Sequence, residues 1–337
     1  MKEYYFTDYS VNDESSILAL EKLCTQGDSI VLRYIRENFR ARSEVYENYR
    51  IICAKIDNKV IGIGAWSNKN ILLHGKKIHT AFIYDTRVHP DYRKKGVAWN
   101  LIHCILKNID TNPECIYMFV AADNTRCLKP VQKLIGFKLA IPFTILVIPV
   151  YKKIRHNIKW CFTEVNTIHD KYLKCNPGVD FLPQNFKRKL LKGYMSSISI
   201  NNERAGCSIW TNKNLLPEEI VRIPLHYQIE RIITDFLRPV IKLPHIPKPK
   251  EKIRSWFLFD VYADNRTDLK RLITVAKNYA FTNNQHFLYI RLQNNDPLLK
   301  IITENEFRYY KIPYYFLARG TQLPRINDRI YIDVRDL

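Results

Sequence analysis

The stretch Tyr84-Asp85-Thr86-Arg87-Val88-His89-Pro90-Asp91-Tyr92-Arg93-Lys94-Lys95-Gly96-Val97-Ala98 decides how the rest of the chain is read. A run rich in apolar residues from Thr80 to Val88 predicts a strand, Pro90 marks a turn, and a helix is expected from about Gly96. Arg93-x-x-Gly96-x-Ala98 falls at that strand-to-helix junction. Small residues there let backbone N–H groups point outward, and the helix start adds partial positive charge. The junction therefore suits an anion such as a pyrophosphate. On its own the motif reads equally as a basic surface turn, so its surroundings decide.

The chain has 337 residues, 46% of them apolar, enough for one large core or two ordinary ones, and its length favours two. No apolar run of 18 residues occurs, so no spanning helix is expected; the longest candidate, Leu139 to Val150, contains two prolines. The start Met1-Lys2-Glu3-Tyr4 lacks an apolar leader core, from which an intracellular, cytoplasmic location is expected, with the nucleus as a second compartment. The eight cysteines are scattered without a CxxC or a Cys/His cluster, so no metal site is expected and most thiols should be buried and reduced. The net charge of +20 is spread: residues 1–153 hold 23 basic and 15 acidic side chains, the remainder 30 and 18. It would attract an acidic partner or an anionic cofactor. No sustained basic stripe interleaved with aromatics is present, so nucleic acid is not the expected partner. No membrane association is expected either.

Read in order, Tyr4-Tyr5-Phe6 suits a strand, Val11–Leu23 and Ser29–Phe39 suit two helices, and Arg40–Glu47 reads as a polar loop. Arg50–Ile56 and Val60–Trp66 suit a hairpin around Asp57-Asn58-Lys59, with Gly62 and Gly64 alternating against apolar neighbours. After the strand ending at Val88 comes a helix with Val97, Leu101, Ile102, Ile105 and Leu106 on one face. Cys115–Ala121 follows as a strand, Asp123-Asn124 as a helix cap, Leu128–Ile135 as a helix closed by Gly136, and Phe137–Val150 as a strand.

This order, the segment Val88-to-Ala98, Asn124, and the ending Lys133-Leu134-Ile135-Gly136-Phe137 resemble the Gcn5-related N-acetyltransferase (GNAT) family over roughly residues 3–150. The second half repeats the pattern weakly. Arg254–Val261 is a strand, Thr267–Tyr279 a helix, Phe287–Leu292 a strand, Pro297–Asn305 a helix and Tyr309–Leu317 a strand. Asn124…Phe137 and Asn294…Phe307 share a 13-residue separation, and Tyr194–Ile200 with Ala205–Trp210 suits a hairpin. The second copy has Ala263-Asp264-Asn265-Arg266-Thr267-Asp268 where the RxxGxA loop would be. The expectation is an α/β fold with a mixed sheet in two tandem GNAT-like domains, residues 1–153 with the loop and 154–337 degenerate. Ile145–Tyr151, Ser208-Ile209-Trp210 and Leu243–Pro247 extend the resemblance to the Hookless-type acetyltransferases of plants, which implies a regulatory, protein-directed acetyltransferase.

The resemblance implies acetyl-CoA as cosubstrate and an amine acceptor, which is a protein, a peptide or a small amine. The pantetheine would lie against Arg87 and Val88, with backbone N–H groups there polarising the thioester carbonyl. Lys94, Lys95, Gly96, Val97 and Ala98 would meet the pyrophosphate together with Arg93, and Asn124 belongs to the family's later helix. For the base, Asp85 is the nearest carboxylate, with a salt bridge to Arg87 as its alternative role. Tyr84 would reach the cleft if a bulge shifted the register. His89, Glu44 and Glu47 are further candidates. Many relatives carry a general-acid tyrosine about four residues before the helix-ending glycine, where this chain has Val131 and Gln132. That departure keeps a non-catalytic acyl-CoA-binding protein in view. Acyl transfer from aminoacyl-tRNA is a third reading, against which the intact loop argues.

Overall fold

The structure is a computed structural model that describes residues 3–109, 112–184, 195–200, 203–211, 215–306 and 308–336. Tyr194 and Phe307, used above, lie outside them. The strands are β1 (Tyr5–Asp8), β2 (Val31–Tyr34), β3 (Asn48–Ile56), β4 (Lys59–Leu73), β5 (Lys76–Val88), β6 (Cys115–Ala121), β7 (Leu139–Pro149), β8 (Trp160–Phe162) and β9 (Val179–Asp180). They continue as β10 (Leu182–Pro183), β11 (Met195–Ile200), β12 (Ala205–Trp210), β13 (Glu218–Arg222), β14 (Lys252–Ile253), β15 (Ser255–Ala263), β16 (Phe287–Gln293), β17 (Tyr310–Gly320) and β18 (Arg329–Ile330). The helices are α1 (Glu14–Leu23), α2 (Arg40–Ser43), α3 (Val97–Asn108), α4 (Thr125–Leu134), α5 (Val165–Cys175), α6 (Leu225–Leu237), α7 (Arg266–Thr282) and α8 (Pro297–Thr303).

One mixed sheet runs in the order β1-β3-β4-β5-β6-β17-β7-β16-β15-β12-β11-β8, and the expected mixed α/β fold is borne out. Its middle is an exchange. β5-α3-β6-α4-β7 and β15-α7-β16-α8-β17 have the same element order, here called two copies, yet β7 pairs with β16 and β17 pairs with β6. β7 and β17 then pair with each other, antiparallel, from Tyr310↔Val147 to Ala318↔Leu139. The final strand of each copy thus completes the sheet beside the other.

The copies share a finer detail. Between Ile63/Ala65 and Arg87/Tyr84 the β4–β5 register slips by one residue, and Asp85 adopts a left-handed φ of 50°. Between Gly206/Ser208 and Tyr262/Phe259 the β12–β15 register slips likewise, and Asp260 also has φ 50°. Aspartate tolerates that region better than most residues, and a bulge residue there bends the strand.

Ile17, Phe39, Tyr46, Phe82, Tyr84 and Tyr117 fill the sheet face under α1 and α2. Ala81, Ile83, Leu101, Ile105, Met118 and Val131 fill the face under α3 and α4. Gly64 of β4 is what lets α3 lie so close. A Cβ there would come within 2.7 Å of Ile105 Cδ1.

Ser29–Phe39, expected as a helix, is instead strand β2 followed by a turn into α2. Val31, Tyr34 and Ile35 are β-branched or aromatic residues that favour extended backbone. β13 supplies their partners, with Arg33 bridging Glu219 at 2.7 Å. Arg40–Glu47, expected as loop, contains α2, whose Arg42 and Ser43 are buried.

Candidate active site

β5 and β6 run parallel and pair only at Thr80↔Cys115, Ala81↔Ile116 and Phe82↔Tyr117. β5 continues to Val88 and β6 to Ala121 without further pairing between them, while β17 still pairs with β6 up to Ala121. The two strands therefore part, leaving backbone groups of β5 on an open edge. The loop after β5 closes the far end. His89 N donates to Ile61 O at 2.8 Å, and a short 3-10 turn runs over Pro90–Tyr92. Arg93 Nε donates to Val88 O at 3.2 Å, which ties the loop back to the strand end.

Lys94 and Gly96 both have left-handed backbones, with φ 62° and 80°. Gly96 caps α3 with no side chain, so none of the first-turn N–H groups is taken by a cap. Open space lies where a Gly96 Cβ would project. The glycine is needed for its φ and for the free approach of a ligand, and a helix start left in this state binds anions. Lys94, Lys95 and Ala98 are exposed around it, and the Lys95 ammonium sits over the Tyr92 ring at 5.2 Å. Across the opening, Asn124 heads α4, its side chain accepting from Cys127 N at 3.3 Å.

The side chains of Arg87, Asp85 and Tyr84 face away from this loop, into the core. Asp85 accepts from Arg36 at 2.8 and 2.9 Å and from Arg42 at 2.8 Å, with Arg87 at 3.3 Å. Its side chain is 2% exposed. Burial opposes its charge, but the guanidiniums of Arg36, Arg42 and Arg87 outweigh that and hold the carboxyl well below the usual range. Glu21 stands 3.0 Å from Arg36 and 3.3 Å from Arg87, and there burial prevails, raising its pKa. Tyr84 donates to Ser43 Oγ at 2.9 Å, stacks on Phe82, and is pushed up by burial. Asp85 and Tyr84 are thus adjacent but enclosed.

The sequence reading missed another carboxylate. Glu218 of β13 lies directly opposite Tyr34 of β2, and the Tyr34 ring stands 5.1 Å from the Arg36 guanidinium and 4.9 Å from that of Arg87. Tyr34, Tyr289 and Tyr314 are its electrostatic neighbours. Tyr314 pairs with Ala121, at the end of β6. Glu218 thus lies near Tyr34, Tyr289 and Tyr314, and Tyr34 in turn meets Arg36 and Arg87. Burial pushes its carboxyl up to about 7. No local motif marks Glu218 in the sequence, and the helix expected over Ser29–Phe39 hides the strand that pairs with it.

Of the other candidates, Glu44 pairs with Arg40 at 3.1 Å on the surface, and His89 Nδ1 accepts from Asp91 N at 3.3 Å. Val131 is buried in the core and Gln132 half-buried. Among the described residues, two groups bring possible metal ligands together, His245–Glu251–His286 and His74–Asp180–Asp328. Neither includes a residue of the β5–α3 loop. In the first, the Arg254 guanidinium lies against His286 Nε2, where a cation would compete with it.

β15 and β16 also part, after Leu258↔Ile290, and a small cavity lies between them, lined by Asp260, Gln293 and Tyr331 among others. Asn265 caps α7 directly after β15, accepting from Asp268 N at 2.9 Å. Asp260 is held by His169 at 2.9 Å and by the Tyr331 hydroxyl at 2.8 Å. Ile330 and Tyr331 form part of that cavity's wall.

Residues 16–137, ending just before β7, match the model of the acetyltransferase (GNAT) family. Over about a third of its length the chain is thus similar to that family. The whole chain superposes on N-myristoyltransferase from Saccharomyces cerevisiae, solved with bound myristoyl-CoA and inhibitors, with TM-score 0.65 at 10% identity. The match covers 100% of this chain and 84% of that one. A candidate acetyltransferase from Pyrococcus horikoshii matches with TM-score 0.56 at 11% identity, covering 97% and 93%. At these identities the likeness is one of fold. No curated protein sequence matches the chain. The GNAT family model covers the frame that holds the open helix start, and the repeat extends that frame through β17.

Proposed function

We propose that this chain transfers an acyl group from acyl-CoA, in the first instance acetyl-CoA, to an amine. The carrying observation is the parting of β5 and β6 beside the uncapped, left-handed start of α3. Arg93, Lys94, Lys95, Gly96, Val97 and Ala98 hold the pyrophosphate, the open edge of Arg87 and Val88 pairs with the pantetheine, and Asn124 shapes the far wall. The myristoyl-CoA of the yeast neighbour supports an acyl-CoA donor and leaves the acyl length to experiment. The amine lone pair attacks the thioester carbonyl carbon, the C–S bond breaks, and the thiolate leaves with a proton. The acceptor must lose a proton first, and Glu218, poised near neutrality, takes it. Asp85 keeps the β5 bulge in shape and Tyr84 supports it.

We read residues 1–153 and 154–337 as two copies of the GNAT frame with one cofactor site, an arrangement similar to the Hookless-type acetyltransferases, with an intracellular location. A second reading is a non-catalytic acyl-CoA-binding protein, favoured by one observation: Val131 is buried where relatives place a tyrosine acid. Calorimetry with CoA and acetyl-CoA tests the donor site. Gly96→Glu puts a carboxylate where the pyrophosphate would sit, and the expected outcome is loss of measurable binding with an unchanged circular dichroism spectrum. Wild-type affinity in that variant overturns the site. Tight acetyl-CoA binding without thiol release across an amine panel moves the protein to the second reading.

A further inference from the structure

α6 is turned inside out. Leu225, Ile229, Ile232, Ile233 and Phe236 recur at helical spacing and all face solvent, Leu225 at 70% and Phe236 at 81% exposure. Val240 and Ile241 continue the stripe past the helix end, Val240 at 86%. The side toward the protein carries the polar residues instead. Thr234 is buried, Gln228 donates to Ile223 O at 3.0 Å, and Glu230 pairs with Arg308 of the body. A surface helix normally buries its apolar stripe and shows its polar one. Among the described residues nothing covers this stripe.

Charge selects the occupant. Residues 222–250 hold six basic and two acidic side chains, a net +4. Both acids are already paired, Glu230 with Arg308 and Asp235 with Arg231 at 3.3 Å. Arg222, Arg238, Lys242, Lys248 and Lys250 of this stretch are exposed, and Arg238 and Lys242 follow the helix. A second copy would bring the same positive rim and the same +20 against it, so self-association works against its own charge. An anionic lipid surface offers the opposite: acyl chains for the stripe and negative headgroups for the rim. No helix here is long and apolar enough to cross a bilayer, but a helix lying in the headgroup region needs no such length.

We propose that the exposed face of α6, from Leu225 to Ile241, docks the protein onto an anionic lipid surface. This goes beyond the acyltransfer reading and does not depend on it. The test is co-sedimentation of the full chain with phosphatidylcholine vesicles with and without phosphatidylserine, at low and at raised salt. Binding is expected only with phosphatidylserine, weakening as salt rises. Ile232→Glu with Phe236→Glu should weaken it at least about tenfold, since both side chains sit in the buried part of the contact. Because both are exposed, that variant should keep the wild-type melting temperature. Three results overturn the proposal: no binding to either vesicle, equal vesicle binding by the variant, or a large loss of melting temperature in the variant, which would show the stripe covered by the chain itself. A wild-type dimer that the variant breaks, with no vesicle binding, assigns the face to a second copy and likewise overturns it.

Discussion

Asp85 and Glu218 divide the carboxylate chemistry of the site by their surroundings. Asp85 is tied to three guanidiniums, so its charge is fixed and its proton affinity is low. Its counterpart Asp260 sits in the same kind of bulge on β15, with the same φ of 50°, so the aspartate recurs with the bulge geometry. Asp85→Asn removes the carboxylate that Arg36, Arg42 and Arg87 share, and breaking a buried pair in this way costs about 3–5 kcal/mol in chemical denaturation. The stabilisation from Asp85 is present above the ordinary carboxylate range and is lost as pH falls toward its depressed folded value. Glu218 has the opposite sign. Its folded pKa is raised, so its ionisation costs stability as pH climbs from the usual glutamate value to about 7. Glu218→Gln should therefore melt higher than wild type at pH 8 and equally at acid pH. In an amine-acetylation assay it should lose the rate limb near pH 7. An unchanged limb removes Glu218 from the base role.

Among the elements, α3 follows β5 and packs on β4, where Gly64 sets how close the helix lies. Gly64→Ala puts a methyl within 2.7 Å of Ile105 Cδ1, so that side chain must turn aside or α3 must shift, an overpacking cost of up to about 1–3 kcal/mol. CoA affinity measured by calorimetry should fall although the residue lies on the strand and not in the loop. The elements that carry this arrangement were legible in the sequence because each has a local signal. Val97–Asn108 has its apolar face, Cys115–Ala121 its apolar run, and Gly96 and Asn124 their caps. The side chains at the site were less legible. Val31–Tyr34 was misread because four residues of strand with helical spacing look like half a helix until a partner 190 residues away pairs with them. The enclosure of Asp85 was hidden for a related reason: Arg36 comes from the segment expected as a helix and Arg42 from the one expected as a loop. α6 left a strong periodic pattern, but periodicity does not say which side faces the body.

Across the whole molecule, β7 and β17 make the two copies interdependent. β6 relies on β17 for its outer edge, and β7 relies on β16 and β17. A chain ending at residue 153 would expose the edge of β6 and leave β7 with no partner except solvent or another chain. Expressed alone, residues 1–153 should therefore form aggregates or fail to bind CoA. Co-expression with residues 154–337 should restore a soluble complex that binds it, measured by gel filtration and calorimetry. A monomeric, CoA-binding fragment would show that the frame closes without exchange.

The exchange also sets an order of events. Pairing β6 with β17 joins residues about 200 positions apart, and contacts of that reach form slowly. During synthesis at about 5–20 residues per second, β5, α3 and β6 would wait on the order of ten seconds or more before β17 emerges to finish their sheet. Through that interval the nascent chain presents an unpaired strand edge, so chaperone occupancy on the ribosome, rather than the melting temperature of the finished protein, would set how much cofactor-binding material a cell obtains.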